Sequence, residues 1–167
     1  AMKENMPAEA GEAPTLGRKM SVTKGGDAPM RLVTGSCENM VRVWQYSAPD
    51  ASWKPERLAQ ELVHKDWVRD VAWAPFSGLP SNVIASCSED RAVYIWSQAE
   101  PDAPWAPSLL HAFDAPVWRV SWSTTGNVLA VSSGDHKVSL WKQEIDNSWQ
   151  QVSAEGEAGP AQEQPAG

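Results

Sequence analysis

Short apolar runs alternate with polar turns along most of the chain, and one such unit occurs three times. Each copy has an apolar stretch, a turn that contains an acidic residue, and a second apolar stretch that ends in tryptophan. The copies lie at 32–44, 84–96 and 129–141. Apolar runs of this length, rich in β-branched residues and joined by a tight turn, predict pairs of antiparallel strands.

The closing tryptophans set the period of this repeat. Trp44, Trp96 and Trp141 lie 52 and 45 residues apart along the chain. A period of roughly forty to fifty residues, made of short strands and closed by tryptophan, is typical of WD-type β-propeller blades. The sequence therefore predicts an all-β, WD40-type β-propeller. Because three blades do not close a ring, we expect a partial propeller of about three blades.

Further strands are predicted on both sides of the second and third hairpins. The runs 67–73 and 117–122 are apolar on both faces, as an inner strand between two neighbouring blades would be. Outer strands are predicted near 108–113 and 149–153. Each of these two repeats therefore supplies the four strands of a blade.

The first repeat is expected to be incomplete. Its outer strand is predicted around 57–63, but no inner strand can be recognised before its hairpin. The nearest candidate, 19–24, lacks the tryptophan that closes the other inner strands.

The two ends of the chain differ in composition from the repeats. Residues 1–30 and 154–167 are rich in Ala, Gly, Pro and Glu and show no sustained period. Segments with so little apolar surface cannot offset the entropy lost on ordering, so we expect both to be disordered. Between them the blades are predicted at 31–63, 64–113 and 114–153, which together hold all ten tryptophans.

Composition argues against several classes of partner and cofactor. The net charge is −7, whereas a protein that follows nucleic-acid phosphates presents a basic face. No apolar run approaches the roughly 20 residues that span a bilayer, and the first residues lack the order of a secretory signal. Phosphate-binding loops, HExxH motifs and paired CxxC motifs are absent, so no cofactor or metal is expected. Cys37 and Cys87 are expected to be buried, reduced thiols, which fits the cytosol or nucleus.

His64, Ser86 and Asp90 allow two interpretations. They are the residue types of a hydrolytic triad. In WD blades, however, a His before the inner strand, a hydroxyl on the second strand, an Asp in the next turn and a Trp on the third strand form a buried hydrogen-bonded network. Here Trp96 would be the fourth member, and every buried donor would have a partner. We favour this structural network and expect no catalytic residue and no enzymatic activity.

The other repeats preserve this pattern only in part. In the first repeat Thr34 fits the hydroxyl position, but Glu38 replaces the aspartate. In the third repeat Asp135 fits the turn position, Val131 replaces the hydroxyl, and Phe113 takes the place of the histidine. A catalytic network would not be expected in repeated copies that are only partly preserved.

A second set of candidate residues lies on or beside the inner strands, near the central face of a propeller. The set comprises Trp67, Arg69, Trp118 and Arg119. Tryptophan and arginine are common anchors of protein interfaces, so these residues form a candidate protein-binding rim. The alternative for the two tryptophans is that they pack between blades.

Several runs resemble one family more closely than a generic WD repeat does. Residues 64–75 read HKDWVRDVAWAP, 117–122 read VWRVSW, and 138–142 read VSLWK. Together they resemble the C-terminal half of the small WD-repeat subunit of the COPII outer coat, the SEC-thirteen family. The resemblance covers about 31–153, and the sister family of the nuclear-pore Y-complex and vacuolar coat fits less well.

This resemblance implies an open six-bladed propeller that a large partner completes by donating a blade. The implied partners are the large cage subunit of the COPII coat, in transport from the endoplasmic reticulum to the Golgi, and scaffold nucleoporins of the Y-complex. It implies a cytoplasmic protein that is peripheral to the endoplasmic reticulum membrane through the coat only, and that also occurs at the nuclear pore complex. An adaptor in another cytosolic or nuclear complex is the alternative.

The family's earlier blades have no recognisable counterpart before Leu32. We therefore expect a truncated product or isoform, or an incomplete gene model. A partial propeller would expose apolar blade faces, which predicts aggregation, dimerisation or dependence on a partner.

Overall fold

The described residues of the chain form twelve β-strands in three antiparallel sheets of four strands each. The computed structural model describes residues 19–23, 30–60, 63–75, 82–100 and 103–152. The strands of the first sheet are β1 (Lys19–Thr23), β2 (Arg31–Gly35), β3 (Val41–Ser47) and β4 (Ser52–Pro55). The second sheet contains β5 (Val68–Trp73), β6 (Asn82–Ser88), β7 (Ala92–Gln98) and β8 (Ala106–Ala112). The third contains β9 (Val117–Trp122), β10 (Val128–Ser133), β11 (Val138–Gln143) and β12 (Trp149–Val152).

Each sheet is one blade, and its strands pair in the order in which they occur along the chain. The inner strand β5 of the second blade lies beside β1 and β2 of the first blade and beside β9 of the third. The prediction of an all-β partial propeller is therefore confirmed. Within the described ranges, no helix is long and apolar enough to cross a membrane.

The first blade has an inner strand that the sequence analysis did not assign. Strand β1 pairs along its whole length with β2, from Lys19 opposite Gly35 to Thr23 opposite Arg31. Apolar and polar residues alternate over these five positions, which is a strand pattern, but the run is short and lacks the marker tryptophan. The expectation that 1–30 is wholly disordered is therefore wrong at 19–23. The rest of 1–29, and the predicted tail at 154–167, lie outside the described residues.

The outer strand of the first blade lies earlier in the chain than predicted. It was expected at 57–63, but β4 covers Ser52–Pro55. Beyond Pro55 the chain turns from β3 to the next blade: the Trp105 N–H donates to the Arg57 carbonyl at 3.0 Å, and the Ala59 N–H donates to the Trp105 carbonyl at 2.8 Å. Tertiary pairing has replaced local pairing at this point. Residues 61–62 lie outside the described ranges.

The apolar core lies between the blades. One cluster joins Val33, Val41 and Val43 of the first blade to Val68 and Val71 of the second. A second cluster joins the second and third blades, and it consists of Ala85, Cys87, Val93, Ile95, Val117, Val120, Leu129, Val131 and Trp141. Strands β5, β6 and β7 of the second blade are therefore buried on both faces, which explains why they are apolar on both sides.

A polar joint reinforces the contact between the first two blades. Glu56 binds Arg31 Nε through Oε1 at 2.8 Å and accepts a hydrogen bond from Trp105 Nε1 through Oε2, also at 2.8 Å. Arg31 Nη1 donates to Gln98 Oε1 at 3.1 Å, so the joint includes β7 as well. Trp105 and Gln98 are almost fully buried. Sequence reasoning missed this joint, because its members are far apart along the chain and belong to no repeated motif.

Replacing Glu56 tests this joint. The substitution Glu56→Gln removes the negative charge and leaves the Arg31 guanidinium largely buried without its counterion. We expect the free energy of unfolding to fall by about 3 kcal/mol, measured by urea denaturation with tryptophan fluorescence. The exposed Glu100→Gln is the matched control. Equal effects of the two substitutions would show that the joint does not stabilise the blades.

Candidate functional site

Four side chains from the loop before β5 and from β6, β7 and the turn between them form one hydrogen-bonded network in the second blade. His64 Nδ1 lies 3.0 Å from Asp90 Oδ2, and His64 Nε2 lies 2.8 Å from Ser86 Oγ. Trp96 Nε1 donates to Ser86 Oγ at 2.9 Å. The structure thus brings together the four residues that the sequence analysis grouped as the network.

Asp90 also holds the backbone of its turn. Its carboxylate accepts hydrogen bonds from the N–H groups of Lys65 at 2.8 Å and Ala92 at 2.9 Å. Burial raises the pKa of Asp90, but the hydrogen bonds from His64 and from these two N–H groups outweigh burial and lower the pKa from 3.8 to about 2. Asp90 is therefore an anion at neutral pH and fixes the start of β5 to the β6–β7 turn.

The direction of each bond defines the role of the histidine. Because Asp90 can only accept, His64 donates from Nδ1, and in the neutral imidazole Nε2 then accepts the Ser86 hydroxyl proton. The Ser86 oxygen in turn accepts the Trp96 N–H. The Ser86 side chain has no exposed surface and His64 is 4% exposed. A substrate has no access to this serine, although the order of the bonds matches that of a hydrolytic triad.

The first and third blades retain parts of the network. In the first blade, Trp44 Nε1 donates to Thr34 Oγ1 at 3.2 Å, as Trp96 does to Ser86. In the third blade, where Val131 has no hydroxyl, Trp141 Nε1 donates instead to Ser139 Oγ at 2.9 Å. Each closing tryptophan thus keeps a hydroxyl partner, while the His–Asp pair is present in the second blade.

The turns that close the three hairpins share one backbone feature. Asn39, Arg91 and His136 occupy the same position after the acidic residue, and their φ angles are 67°, 70° and 65°. Asparagine and histidine adopt this left-handed conformation more readily than most residues, whereas arginine does so less often. The turn geometry is therefore a property of the repeat that does not depend on one residue type.

Three of the four candidate rim residues form a stack at the junction of the second and third blades. The Arg69 guanidinium carbon lies 5.0 Å from the ring centroid of Trp67 and 5.3 Å from that of Trp118, both within cation–π range. Arg69 also forms an ion pair with Glu89 in the β6–β7 turn. Trp67 and Trp118 remain 44% and 42% exposed. The interpretation that these tryptophans pack in the core between blades does not fit their exposure.

Arg119 does not join this stack. It is exposed on β9, one position beyond Trp118, and its side chain forms no hydrogen bond or ion pair with any residue that the structure describes. The four candidate rim residues therefore divide into a stack of three side chains and one separate cation.

The two cysteines differ in exposure. Cys87 is buried, but Cys37 is exposed in the β2–β3 turn, so the expectation that both thiols are buried is wrong for Cys37. Over the described ranges, no group of three or more His, Cys, Asp or Glu side chains is placed to hold a metal ion.

Comparison with known proteins gives consistent matches. The family model described as "WD domain, G-beta repeat" matches residues 57–97 and 107–142. The human protein named "Protein SEC13 homolog" is 48% identical over 124 residues, which cover 74% of this chain and 38% of that protein. The Drosophila melanogaster protein of the same name is 41% identical over 155 residues, covering 93% of this chain and 42% of the relative.

A plant relative agrees with these two. The Arabidopsis thaliana "Protein transport protein SEC13 homolog A" is 47% identical over 127 residues, covering 76% of this chain and 41% of that protein. This chain therefore spans about two fifths of the length of the relatives it matches.

The three blades, their tryptophan-closed hairpins and the His–Ser–Asp–Trp network define a WD-repeat protein with a partial β-propeller. The chain is 41–48% identical to relatives from a mammal, an insect and a plant, all of which are named SEC13 homologs. The chain belongs to the SEC13 family of WD-repeat proteins.

A matched pair of substitutions tests the role of the network. We expect Asp90→Ala to lower the free energy of unfolding by about 3 kcal/mol, because it leaves His64 and two backbone N–H groups without their acceptor. Asp135→Ala, at the same turn position of the third blade, removes an exposed carboxylate and should cost much less. Chemical denaturation of the three proteins gives the comparison. If Asp90→Ala unfolds at the same denaturant concentration as wild type, the network is not structural.

The depressed pKa of Asp90 also predicts a dependence on pH. A carboxyl group with a lowered pKa in the folded state stabilises the protein above its ordinary pKa of 3.8, and this contribution is lost as the pH falls towards about 2. The stability difference between wild type and Asp90→Asn should therefore shrink as the pH falls from 4 to 2. Thermal melts across this range measure it. A difference that is independent of pH would contradict the account.

Proposed function

We propose that this chain acts as a non-enzymatic WD-repeat scaffold subunit in protein transport. The name of the Arabidopsis relative includes protein transport, and the match extends through most of the described residues of this chain. The finer proposal is a subunit of the COPII coat, in transport from the endoplasmic reticulum to the Golgi, and of the nuclear pore complex. It would bind the large COPII cage subunit and scaffold nucleoporins of the Y-complex by propeller completion.

The observation that supports a binding role most directly is the uncovered side of the third blade. We define its lateral face as the side turned away from the second blade. This face includes Arg119, Ser121, Ala130, Ser132, Val138, Leu140, Lys142 and Val152. Val138 is 68% exposed, Leu140 37% and Val152 41%. Apolar side chains grouped on one face of a sheet are a feature of interaction surfaces.

The burial of the triad-like residues supports a non-enzymatic role. The Ser86 hydroxyl, which would have to attack a substrate, lies beneath the blade surface and already accepts the Trp96 N–H. Its bonds serve to hold β6, β7 and the start of β5 together.

The proposed location follows from the proposed partners. The chain would be cytoplasmic, attached to the endoplasmic reticulum membrane through the coat only, and present at the nuclear pore complex. It would need no cofactor and would not bind nucleic acid.

A second candidate function is that of an adaptor in another cytosolic or nuclear complex. The exposed stack of Trp67, Arg69 and Trp118 favours it, because aromatic and arginine side chains anchor many protein interfaces. This surface is separate from Val138 and Leu140 of the lateral face, so substitutions can distinguish the two functions.

Affinity capture of the tagged chain from cells, quantified by mass spectrometry, tests the proposed function. We expect enrichment of the large COPII cage subunit and of Y-complex nucleoporins. Val138→Asp should reduce that enrichment at least about tenfold, because it places a charge in the centre of the apolar contact. Ile145→Asp, in the fully exposed β11–β12 turn, is the matched control and should have no effect.

The outcomes separate the two functions. Loss of all partners on Trp67→Ala, with Val138→Asp unchanged, would favour the adaptor. Absence of coat and nuclear-pore proteins from the wild-type capture would contradict the proposed function.

A further inference from the structure

The joint between the second and third blades shows how a neighbour packs on a blade of this chain. On the face of the second blade that packs at this joint, Ala72 of β5 lies opposite Ala85 of β6, which lies opposite Ile95 of β7. In the third blade, Ser121 of β9, Ala130 of β10 and Leu140 of β11 are paired in the same way. The same alignment of paired strands places Val138 in the position of Val93, and Arg119 in that of Asp70. The lateral face of the third blade is therefore the counterpart of a surface that is covered within this chain.

Burial at these equivalent positions differs as expected for a covered and an uncovered face. Val93 has no exposed surface, but Val138 is 68% exposed. Ile95 is 5% exposed, but Leu140 is 37% exposed. Both positions keep their apolar character in the third blade although no described residue buries them, as expected of a surface on which a further sheet packs.

The charge at the inner strand is not kept. In the covered joint, the Asp70 carboxylate accepts a hydrogen bond from the backbone N–H of Val120 in the neighbouring inner strand, at 3.1 Å. The third blade has a guanidinium at this position, and Arg119 can only donate. A neighbour that offered an N–H there, as β9 does, would bring two donors together.

We infer that the partner sheet that covers the lateral face presents an acidic side chain to Arg119. An arginine that becomes buried in an interface needs an anionic acceptor, and a carboxylate matches its geometry with two parallel hydrogen bonds. Opposite Val138 and Leu140 the contacts of the partner are apolar, and Ser121, Ser132 and Lys142 lie on the same face. This inference rests on the proposed completion of the propeller and adds the charge that the completing sheet carries.

A second copy of this chain fits less well. The outward side of its first blade would have to pack on the lateral face in a head-to-tail contact. On that side Leu32, Thr34 and Trp44 are already buried, with exposures of 3%, 8% and 8%. Arg42 is exposed there and carries the same charge as Arg119, and none of the four residues offers a carboxylate.

Photocrosslinking from the lateral face tests the inference. Val138 is replaced by p-benzoylphenylalanine in the full chain, which is expressed in cells and irradiated, and the crosslinked peptide is identified by mass spectrometry. We expect a single segment of another protein that contains Asp or Glu. Arg119→Glu in the same background should lower the crosslink yield about tenfold, and Arg119→Lys should lower it much less. Arg42→Glu, an exposed arginine of the first blade, is the matched control and should leave the yield unchanged.

A charge exchange completes the test. Replacing the acidic residue of the captured segment by arginine should restore the crosslink to the Arg119→Glu chain. No crosslink, a crosslink between two copies of this chain, a captured segment without an acid, or a yield that Arg119→Glu leaves unchanged would each overturn the inference. The identity of the captured protein tests the proposed function separately, since charge dependence can hold for a partner that is neither a coat nor a nuclear-pore protein.

Discussion

The structure depends on one constraint: a blade buries its apolar side chains against other blades. The two core clusters lie at the two joints, and the second blade, which contributes to both, has the most completely buried strands. The third blade has a neighbour on one side, and its other face keeps apolar residues in contact with solvent. The repeat specifies apolar positions on both faces of a sheet, and we relate the proposed function to the face of the third blade that stays exposed.

Polar groups at the joints are arranged to meet the same constraint. Glu56 neutralises Arg31 and accepts the Trp105 N–H, and Asp70 accepts the N–H of Val120 across the next joint. Within the second blade, His64 and Asp90 tie the start of an inner strand to the following turn. Buried polar groups of this kind stabilise one arrangement of blades because any other leaves donors or acceptors unpaired. Arg119 has no such partner among the described residues, and this difference supports the inferred acidic neighbour.

The sequence predicts those elements that rest on local pattern. The hairpins, the inner strands β5 and β9 and the grouping of His64, Ser86, Asp90 and Trp96 all follow from strand alternation and from the spacing of the repeat. Strand β1 was not predicted because it is short and has no tryptophan. Strand β4 was predicted at the wrong residues because Arg57 and Ala59 pair with Trp105 of the next blade. The Glu56 joint and the stack around Arg69 depend on contacts between distant segments, which no local pattern records. The binding roles of Trp67, Arg69, Trp118 and Arg119 stay predictions.

Hydrogen–deuterium exchange, compared between the chain alone and the chain bound to its captured partner, tests the central claim most directly. We propose that a partner sheet covers the lateral face of the third blade. If it does, the amides of β10 and β11 exchange more slowly in the complex, and those of β2 and β3 in the first blade change little. Unchanged exchange in β10 and β11, together with protection confined to the segment around Trp67, would show that the partner binds the rim, and it would contradict the account.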